Sequence, residues 1–184
     1  MSFGYWEVTL AVLIPTTLYA SWVDYSQKRV PNWLNAALAA SGLITQAAFF
    51  GWMGLGTGVL GLLVGLGLLI LPWAVHGMGA GDVKLMAAIG AWLGPWLTLL
   101  SFVAGALLAG VMAMAMILAT GRAIHAYFNL QTILAKLRRL DTAFSEVGGA
   151  RTFGDTSQLL PYGVPLTAGT IGVLLTYYFG GWLP

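Results

Sequence analysis

The 184-residue chain contains no cysteine, which excludes disulfide bonds, cysteine-based zinc sites and a thiol nucleophile. Charge is also scarce, because charged residues make up 8% of the chain against about 25% in a typical soluble domain. Hydrophobic residues make up 59%, and the mean hydropathy is +0.84. These values predict an integral membrane protein. Its long apolar runs lack strand-like alternation, which favours helices.

The apolar runs predict an all-α polytopic membrane protein with about six transmembrane helices. They form a single membrane-embedded domain, residues 1–184. A crossing needs roughly 20 apolar residues, so six crossings leave no room for a separate soluble domain. The predicted helices cover approximately residues 5–23, 33–50, 60–75, 82–92, 96–119 and 160–182.

Glycine and proline mark the predicted interruptions. The uncharged stretch 51–58 predicts a tight return between two helices, and Gly94-Pro95 predicts a break. Within the third helix, small residues predict close contact with a neighbouring helix. They are Gly61, Gly65 and Gly67. This glycine face and the polar stretch 142–158 are two candidate gaps for sideways entry of a substrate.

The basic residues predict the orientation. With six crossings all eight fall on one side, which the positive-inside rule makes cytoplasmic, and both termini face outward. They are Lys28, Arg29, Lys84, Arg122, Lys136, Arg138, Arg139 and Arg151. This topology explains the pI near 9.0 without a nucleic-acid partner. The eight tryptophans cluster near helix ends, as an interfacial belt does.

Residues 121–158 form the only long polar segment. Its first part repeats apolar residues at helical spacing with basic residues between them, which predicts an amphipathic helix on the inner leaflet. An ordinary solvated connector explains the same composition. We assign this segment no chemistry.

Two aspartates are the candidate chemical groups. Asp82 lies in the glycine-rich turn 76–84 between two apolar runs, and Asp24 ends the first apolar run on the same predicted side. A carboxylate at the edge of a membrane span is costly and indicates a function. Two such groups that converge can hydrolyse a peptide bond, because one accepts a proton from water while the other, protonated, polarises the carbonyl. Asp82 begins a helix and Asp24 ends one, so helix dipoles predict more of the charge on Asp82 and more of the proton on Asp24.

Gly79 and Gly81 flank the candidate acid. Lacking Cβ atoms, they allow close backbone approach and positive φ, and such an edge could pair with an extended substrate. A flexible turn between helices is the alternative explanation.

These motifs together resemble the type IV prepilin peptidase family, membrane aspartic proteases with a Gly-x-Gly-Asp signature. The resemblance rests on Asp24 followed by the sequence RVPN, on residues 79–85 (GAGDVKL), and on residues 160–163 (LPYG) before the last helix. It covers essentially the whole chain in order.

The resemblance implies that Asp24 and Asp82 are the two catalytic aspartates. It also implies cleavage of prepilins and pseudopilins, which carry a basic leader before a hydrophobic helix, at the cytoplasmic face of the bacterial inner membrane. Longer family members carry a methyltransferase domain with paired Cys-x-x-Cys motifs, and this cysteine-free sequence departs from them. It looks like the peptidase-only branch associated with Flp pili, without a cofactor.

Other candidate site residues have simpler explanations beside the functional one. Lys84 could favour the charged form of Asp82, bind an acidic side chain of the substrate, or only set topology. Asn32 could support the site, although a cap of the second helix is the preferred interpretation. Pro161, Tyr162 and Gly163 could line the site, with the prolines unwinding the helix start, or only begin a helix.

Two other functions compete with the peptidase. Intramembrane aspartates also serve small proton- or ion-coupled transporters, but both acids here are predicted at the membrane edge and none at mid-depth. A protease of the presenilin or signal-peptide-peptidase type would need a Tyr-Asp pair, and Val23 precedes Asp24. No His, Asp or Glu cluster has metal-ligand spacing, so no metal is expected. The sequence leaves the oligomeric state open.

Overall fold

The structure is a computed structural model that describes residues 4–27, 30–74, 79–120 and 162–180. Four helices account for nearly all of these residues. They are α1 (Tyr5–Gln27), α2 (Asn32–Ala74), α3 (Ala80–Thr120) and α4 (Gly163–Phe179). The chain is thus helical throughout the described part, as the composition predicts.

Helices α2 and α3 are each divided by one glycine with positive φ. Gly51 has φ 61° and ψ −145°, and Gly94 has φ 71° and ψ 177°. The chain folds back at Gly51, because Gly58 lies against Leu43 and Gln46 from the preceding segment. The described part therefore contains six helical segments: α1, 32–50, 52–74, 80–93, 95–120 and α4.

The chain also folds back at Gly94. The segment 80–93 starts beside the end of α1 and finishes where the Tyr5 hydroxyl donates to the carbonyl oxygen of Trp92. The next segment returns, since Gly105 packs on Leu166 near the start of α4. The predicted break at Gly94 is confirmed.

The predicted return over residues 51–58 is wrong in its length. Only Gly51 leaves the helix, because a single glycine with positive φ can redirect the chain. Gly54 and Gly58 instead lie inside the next helical segment and let it pack closely on its predecessor.

The glycines of the segment 52–74 pack against α3. A Cβ atom on Gly61 would overlap the carbonyl oxygen of Gly90, and one on Gly65 would overlap that of Met86. The predicted close approach is therefore confirmed for these two, and the helices leave no gap at either position. Gly67 has nothing within 4 Å of its Cβ position, so the prediction is wrong there.

Polarity is distributed as in a membrane protein. Large apolar side chains cover the outside, with Ile44 and Val111 each 68% exposed, while polar side chains such as Thr9 and Thr98 are fully buried. Two stretches, Asn32–Ile70 and Ala80–Met116, are long and apolar enough to cross a membrane. In lipid the apolar surface is solvated and the polar groups find partners inside the protein.

One tryptophan does not belong to the predicted belt. Trp92 is 1% exposed, and its indole N–H donates to the carbonyl oxygen of Leu38 at 2.9 Å. Its own carbonyl oxygen accepts from Gln46 as well as from Tyr5, because the helix ends two residues later and offers no further amide in register. Trp92 is a core residue that joins α1, α2 and α3.

The helix boundaries also refine two predictions. Asp24 lies inside the last turn of α1, which continues to Gln27. The expected unwinding near Pro165 is wrong, because α4 is helical from Gly163 and proline is tolerated in a first turn. Several predictions lie outside the described residues: the amphipathic segment 121–158, seven of the eight basic residues, and the tip of the turn, 75–78.

Candidate active site

Asp24 and Asp82 lie at the same end of the helical bundle. Asp24 comes from the last turn of α1 and Asp82 from the first turn of α3, and they are 6% and 5% exposed. They are close enough that the charge of Asp24 acts on Asp82. Two carboxyl groups that share a buried site cannot easily both ionise, so the pair is suited to hold one proton between them.

Asp24 also caps the last helix. Its Oδ2 accepts the backbone N–H of Gly163, the first residue of α4, at 3.2 Å. The residue at the N-cap position, Tyr162, makes no side-chain capping hydrogen bond, so a carboxylate from α1 does this instead. A Cβ on Gly163 would lie 2.8 Å from Asp24 Oδ2, which makes glycine the residue that fits.

This contact changes the electrostatic comparison of the two acids. Asp82 is in the first turn of α3, as expected, and Asp24 adjoins the start of α4. Asp24 therefore lies between the C-terminal end of α1 and the N-terminal end of α4, so helix dipoles distinguish the two acids less than the sequence predicts. The predicted unequal sharing of charge stays a prediction.

Asp82 is held through its backbone. Its N–H donates to the carbonyl oxygen of Gly79 at 3.2 Å, and a Cβ on Gly79 would be 3.5 Å from Asp82 Oδ2. Its Oδ1 is buried and accepts no hydrogen bond from the described residues. A buried acceptor of this kind can take a hydrogen bond from a water molecule or from a substrate.

Gly81 packs closely, although not in the predicted conformation. A Cβ on Gly81 would lie 3.2 Å from the backbone nitrogen of Val30, so the expected close approach is confirmed. Among the described glycines, positive φ occurs at Gly51 and Gly94 and not at Gly79 or Gly81. Gly81 is already inside α3, so it does not form the extended edge expected to pair with a substrate.

Asn35 is a site residue that the sequence analysis missed. It is 4% exposed, and its Nδ2 donates to the carbonyl oxygen of Gly81 at 3.2 Å, next to Asp82. Its Oδ1 is buried without a partner in the described part of the chain. A buried asparagine on an apolar helix was the available signal, since such a side chain needs a polar partner.

Asn32 and Lys84 pair with each other at the exposed rim of the site. Lys84 Nζ donates to Asn32 Oδ1 at 2.9 Å, which links the N-terminal ends of α2 and α3. The preferred interpretation of Asn32 as a helix cap is wrong, since its side-chain oxygen accepts from Lys84. The amides of Leu34 and Asn35 bond to the Pro31 carbonyl instead.

Tyr162 lies beside the acids, half-buried at the start of α4. Burial, and secondly the negative charge of Asp82, raise the pKa of its phenol. Tyr162 therefore stays protonated at neutral pH and can donate a hydrogen bond into the site. Gly163 contacts Asp24 directly, whereas Pro161 lies outside the described residues.

A comparison with known protein families covers the part of the chain that carries both aspartates. The profile of the type IV leader peptidase family matches residues 11–114, a stretch that contains both aspartates. The chain belongs to the type IV leader peptidase family. This confirms the resemblance carried by the Gly-x-Gly-Asp turn. The family match ends before α4, so the contact of Gly163 with Asp24 is known from the structure alone.

Curated relatives in this family are similar over part of their length. The chain is 37% identical to a prepilin leader peptidase/N-methyltransferase of Aeromonas hydrophila over 113 residues, which is 55% of this chain and 39% of the relative. It is 37% identical to one of Neisseria gonorrhoeae over 126 residues, 61% of this chain and 44% of the relative. The chain thus spans less than half the length of these relatives. No solved structure matches it significantly.

Other features of the described part are less suited to chemistry. No three His, Asp or Glu side chains there are grouped to hold a metal ion. The prediction that no metal or cofactor is needed is not tested by this and stays a prediction. An apolar groove of about 720 Å³ lies between 95–120 and α4, but the acids are not among its lining residues.

Proposed function

We propose that this family member is an aspartic endopeptidase that removes leader peptides from prepilins and pseudopilins. The observation that supports it most is the meeting of two buried carboxyl groups, Asp24 and Asp82, at one end of the bundle. The names of the curated relatives support the substrate class. The assignment to Flp-type pilins rests on the sequence resemblance.

The proposed reaction uses the two acids and one water molecule. The ionised carboxylate takes a proton from water, the new C–O bond forms at the scissile carbonyl carbon, and the protonated partner donates to the carbonyl oxygen. When the tetrahedral intermediate collapses, the C–N bond breaks, and the leaving amine takes the water-derived proton from the first carboxyl group. The hydroxyl formed at the former carbonyl oxygen returns its proton to the partner as the new carboxyl group forms. Both acids thus return to their starting state.

The proposed setting is the bacterial inner membrane, with several crossings and the two acids at the cytoplasmic face. The grouping of Lys and Arg in the sequence supports the orientation, and the apolar exterior supports embedding in lipid. A substrate with a basic leader and a hydrophobic helix would present its cleavage site at this membrane edge.

Cleavage of a Flp-type prepilin in detergent or membranes tests the proposal. We expect Asp24→Asn and Asp82→Asn each to lower the rate by at least about 10³-fold, because neither carboxyl group alone can act as both acid and base. Glu7→Gln is the matched control. Glu7 is an exposed carboxylate at the opposite end of α1, and we expect wild-type cleavage from this variant.

Two results would contradict the proposal. Cleavage that survives either aspartate substitution in the folded protein would rule out the pair as the catalytic centre. If wild-type protein cleaves none of several prepilins, the peptidase assignment fails, and proton-coupled flux in liposomes becomes the measurement to make.

A further inference from the structure

Ser21 and Thr167 connect α1 to α4 just inside the candidate active site. Ser21 Oγ lies 2.9 Å from the carbonyl oxygen of Gly163 and 2.6 Å from Thr167 Oγ1. Thr167 Oγ1 in turn lies 3.2 Å from the carbonyl oxygen of Thr17. The two hydroxyl hydrogens are shared among these three contacts. Both side chains are buried, at 8% and 2% exposure.

These contacts differ from those of most other Ser and Thr hydroxyl groups in the described helices. In a helix, Ser and Thr usually bond to the carbonyl four residues earlier in the same helix. Residues that do so here include Thr9, Thr45, Thr57, Thr98, Thr170 and Thr176. Ser21 and Thr167 instead reach across to another helix.

Both backbone polar groups of Gly163 consequently form hydrogen bonds with side chains of α1. Its N–H donates to Asp24 Oδ2, and its carbonyl oxygen accepts from Ser21. Since Ser21 and Asp24 are three residues apart in α1, they lie on the same helix face. The contacts close a ring that fixes the Gly163 amide relative to the Asp24 carboxylate.

We propose that Ser21 and Thr167 are positioning residues for Asp24. They hold the start of α4 so that the Gly163 amide meets the Asp24 carboxylate in one orientation. This inference rests on the proposed function, because the orientation of Asp24 affects the rate only when Asp24 takes part in the reaction. Ser21 bonds to the backbone of Gly163 and Thr167 bonds to Ser21, so both act through Gly163.

A positioning role predicts a specific kinetic change. Ser21→Ala and Thr167→Val should each lower kcat about tenfold, the scale of one lost buried hydrogen bond, with KM changed less than about twofold. Because both act through the same contact, the double variant should lose little more than the worse single variant. Ser21→Thr keeps the hydroxyl and should recover most of kcat.

Matched controls come from α4 and from the neighbouring segment 95–120. Thr170→Val removes a buried hydroxyl that bonds only within α4, and Ser101→Ala removes a buried hydroxyl without a partner among the described residues. Both should keep wild-type kcat. Wild-type kcat in Ser21→Ala, or an equal loss in Thr170→Val, would overturn the proposal.

A spectroscopic measurement separates this inference from the proposed function. The infrared carboxyl band of Asp24 is identified by its loss in Asp24→Asn. It should shift in Ser21→Ala and Thr167→Val and not in Thr170→Val. This measurement needs no cleavage. An inactive wild type would refute the peptidase assignment, and the band shift would still test the contact between Gly163 and Asp24. An unshifted band in Ser21→Ala would overturn the positioning role.

Discussion

Gly163 shows how a backbone position can be specified by one side chain far away in the sequence. The residue is buried, and a Cβ there would lie 2.8 Å from Oδ2 and 3.2 Å from Cβ of Asp24. Its φ is not in the left-handed region, so the requirement for glycine comes from space alone.

We predict that Gly163→Ala lowers the cleavage rate by roughly 10- to 100-fold, because the added methyl group displaces the Asp24 carboxylate and small displacements of catalytic groups are costly. The measurement is kcat on a prepilin with variants of equal yield and monodispersity. Gly172→Ala is the control on the same helix, since nothing lies within 4 Å of its Cβ position. Wild-type cleavage by Gly163→Ala would show that this close contact is not required.

The two asparagines near the start of α2 have different surroundings that the sequence alone does not distinguish. Asn32 stands in the recognised motif and faces the exposed rim, whereas Asn35, three residues later, reaches the backbone beside Asp82. Both lie in the first turns of α2. Only the direction in which α2 packs against α3 decides which one becomes buried.

Glycine has a different role at the level of the helices. Gly61 and Gly90 bring the segments 52–74 and 80–93 into backbone contact, with no side chain between them. This contact supports the helix that carries Asp82. In lipid, where apolar side chains gain little by association, close packing of small residues is a main source of helix pairing.

We predict that Gly61→Ala lowers the free energy of unfolding by about 1–3 kcal/mol, because a methyl group would overlap the Gly90 carbonyl oxygen. Gly67→Ala, on the same segment but with open space at its Cβ position, should change it by less than about 0.5 kcal/mol. Unfolding in one detergent measures both. Equal effects of the two substitutions would contradict the packing.

The whole molecule has two distinct ends. The acids, Asn35 and Gly163 lie at one end, and the cluster of Tyr5 with Phe49 and Phe50 lies at the other. The predicted orientation places the first end in the cytoplasm. Lys84, the basic residue within the described ranges, lies at this first end.

Single-cysteine labelling tests the orientation, because the chain has no cysteine of its own. Trp33 and Trp52 are 65% and 87% exposed and lie near opposite ends of the first segment of α2. A membrane-impermeant maleimide should label Trp52→Cys in intact spheroplasts and Trp33→Cys only after lysis. The reverse pattern would invert the topology and place the acids outside. Each variant should retain prepilin cleavage as its control.

Much of this organisation follows from local chemistry. The apolar runs predict helices because a backbone in lipid must satisfy its own hydrogen bonds. Gly94-Pro95 predicts a break because proline removes an amide, and the structure breaks there. Asp24 and Asp82 could be singled out because a buried acid at a span edge is costly.

The sequence by itself determined the helices, the break at Gly94, the two acids and the family. The tertiary structure decided how these parts meet: the reversal at Gly51 alone, the burial of Trp92, and the contact of Asp24 with Gly163 across 139 positions. Apolar helix faces attract one another with little selectivity, so composition does not determine which faces pack together. The partners are chosen by small residues that permit close approach and by buried polar groups that must find hydrogen bonds.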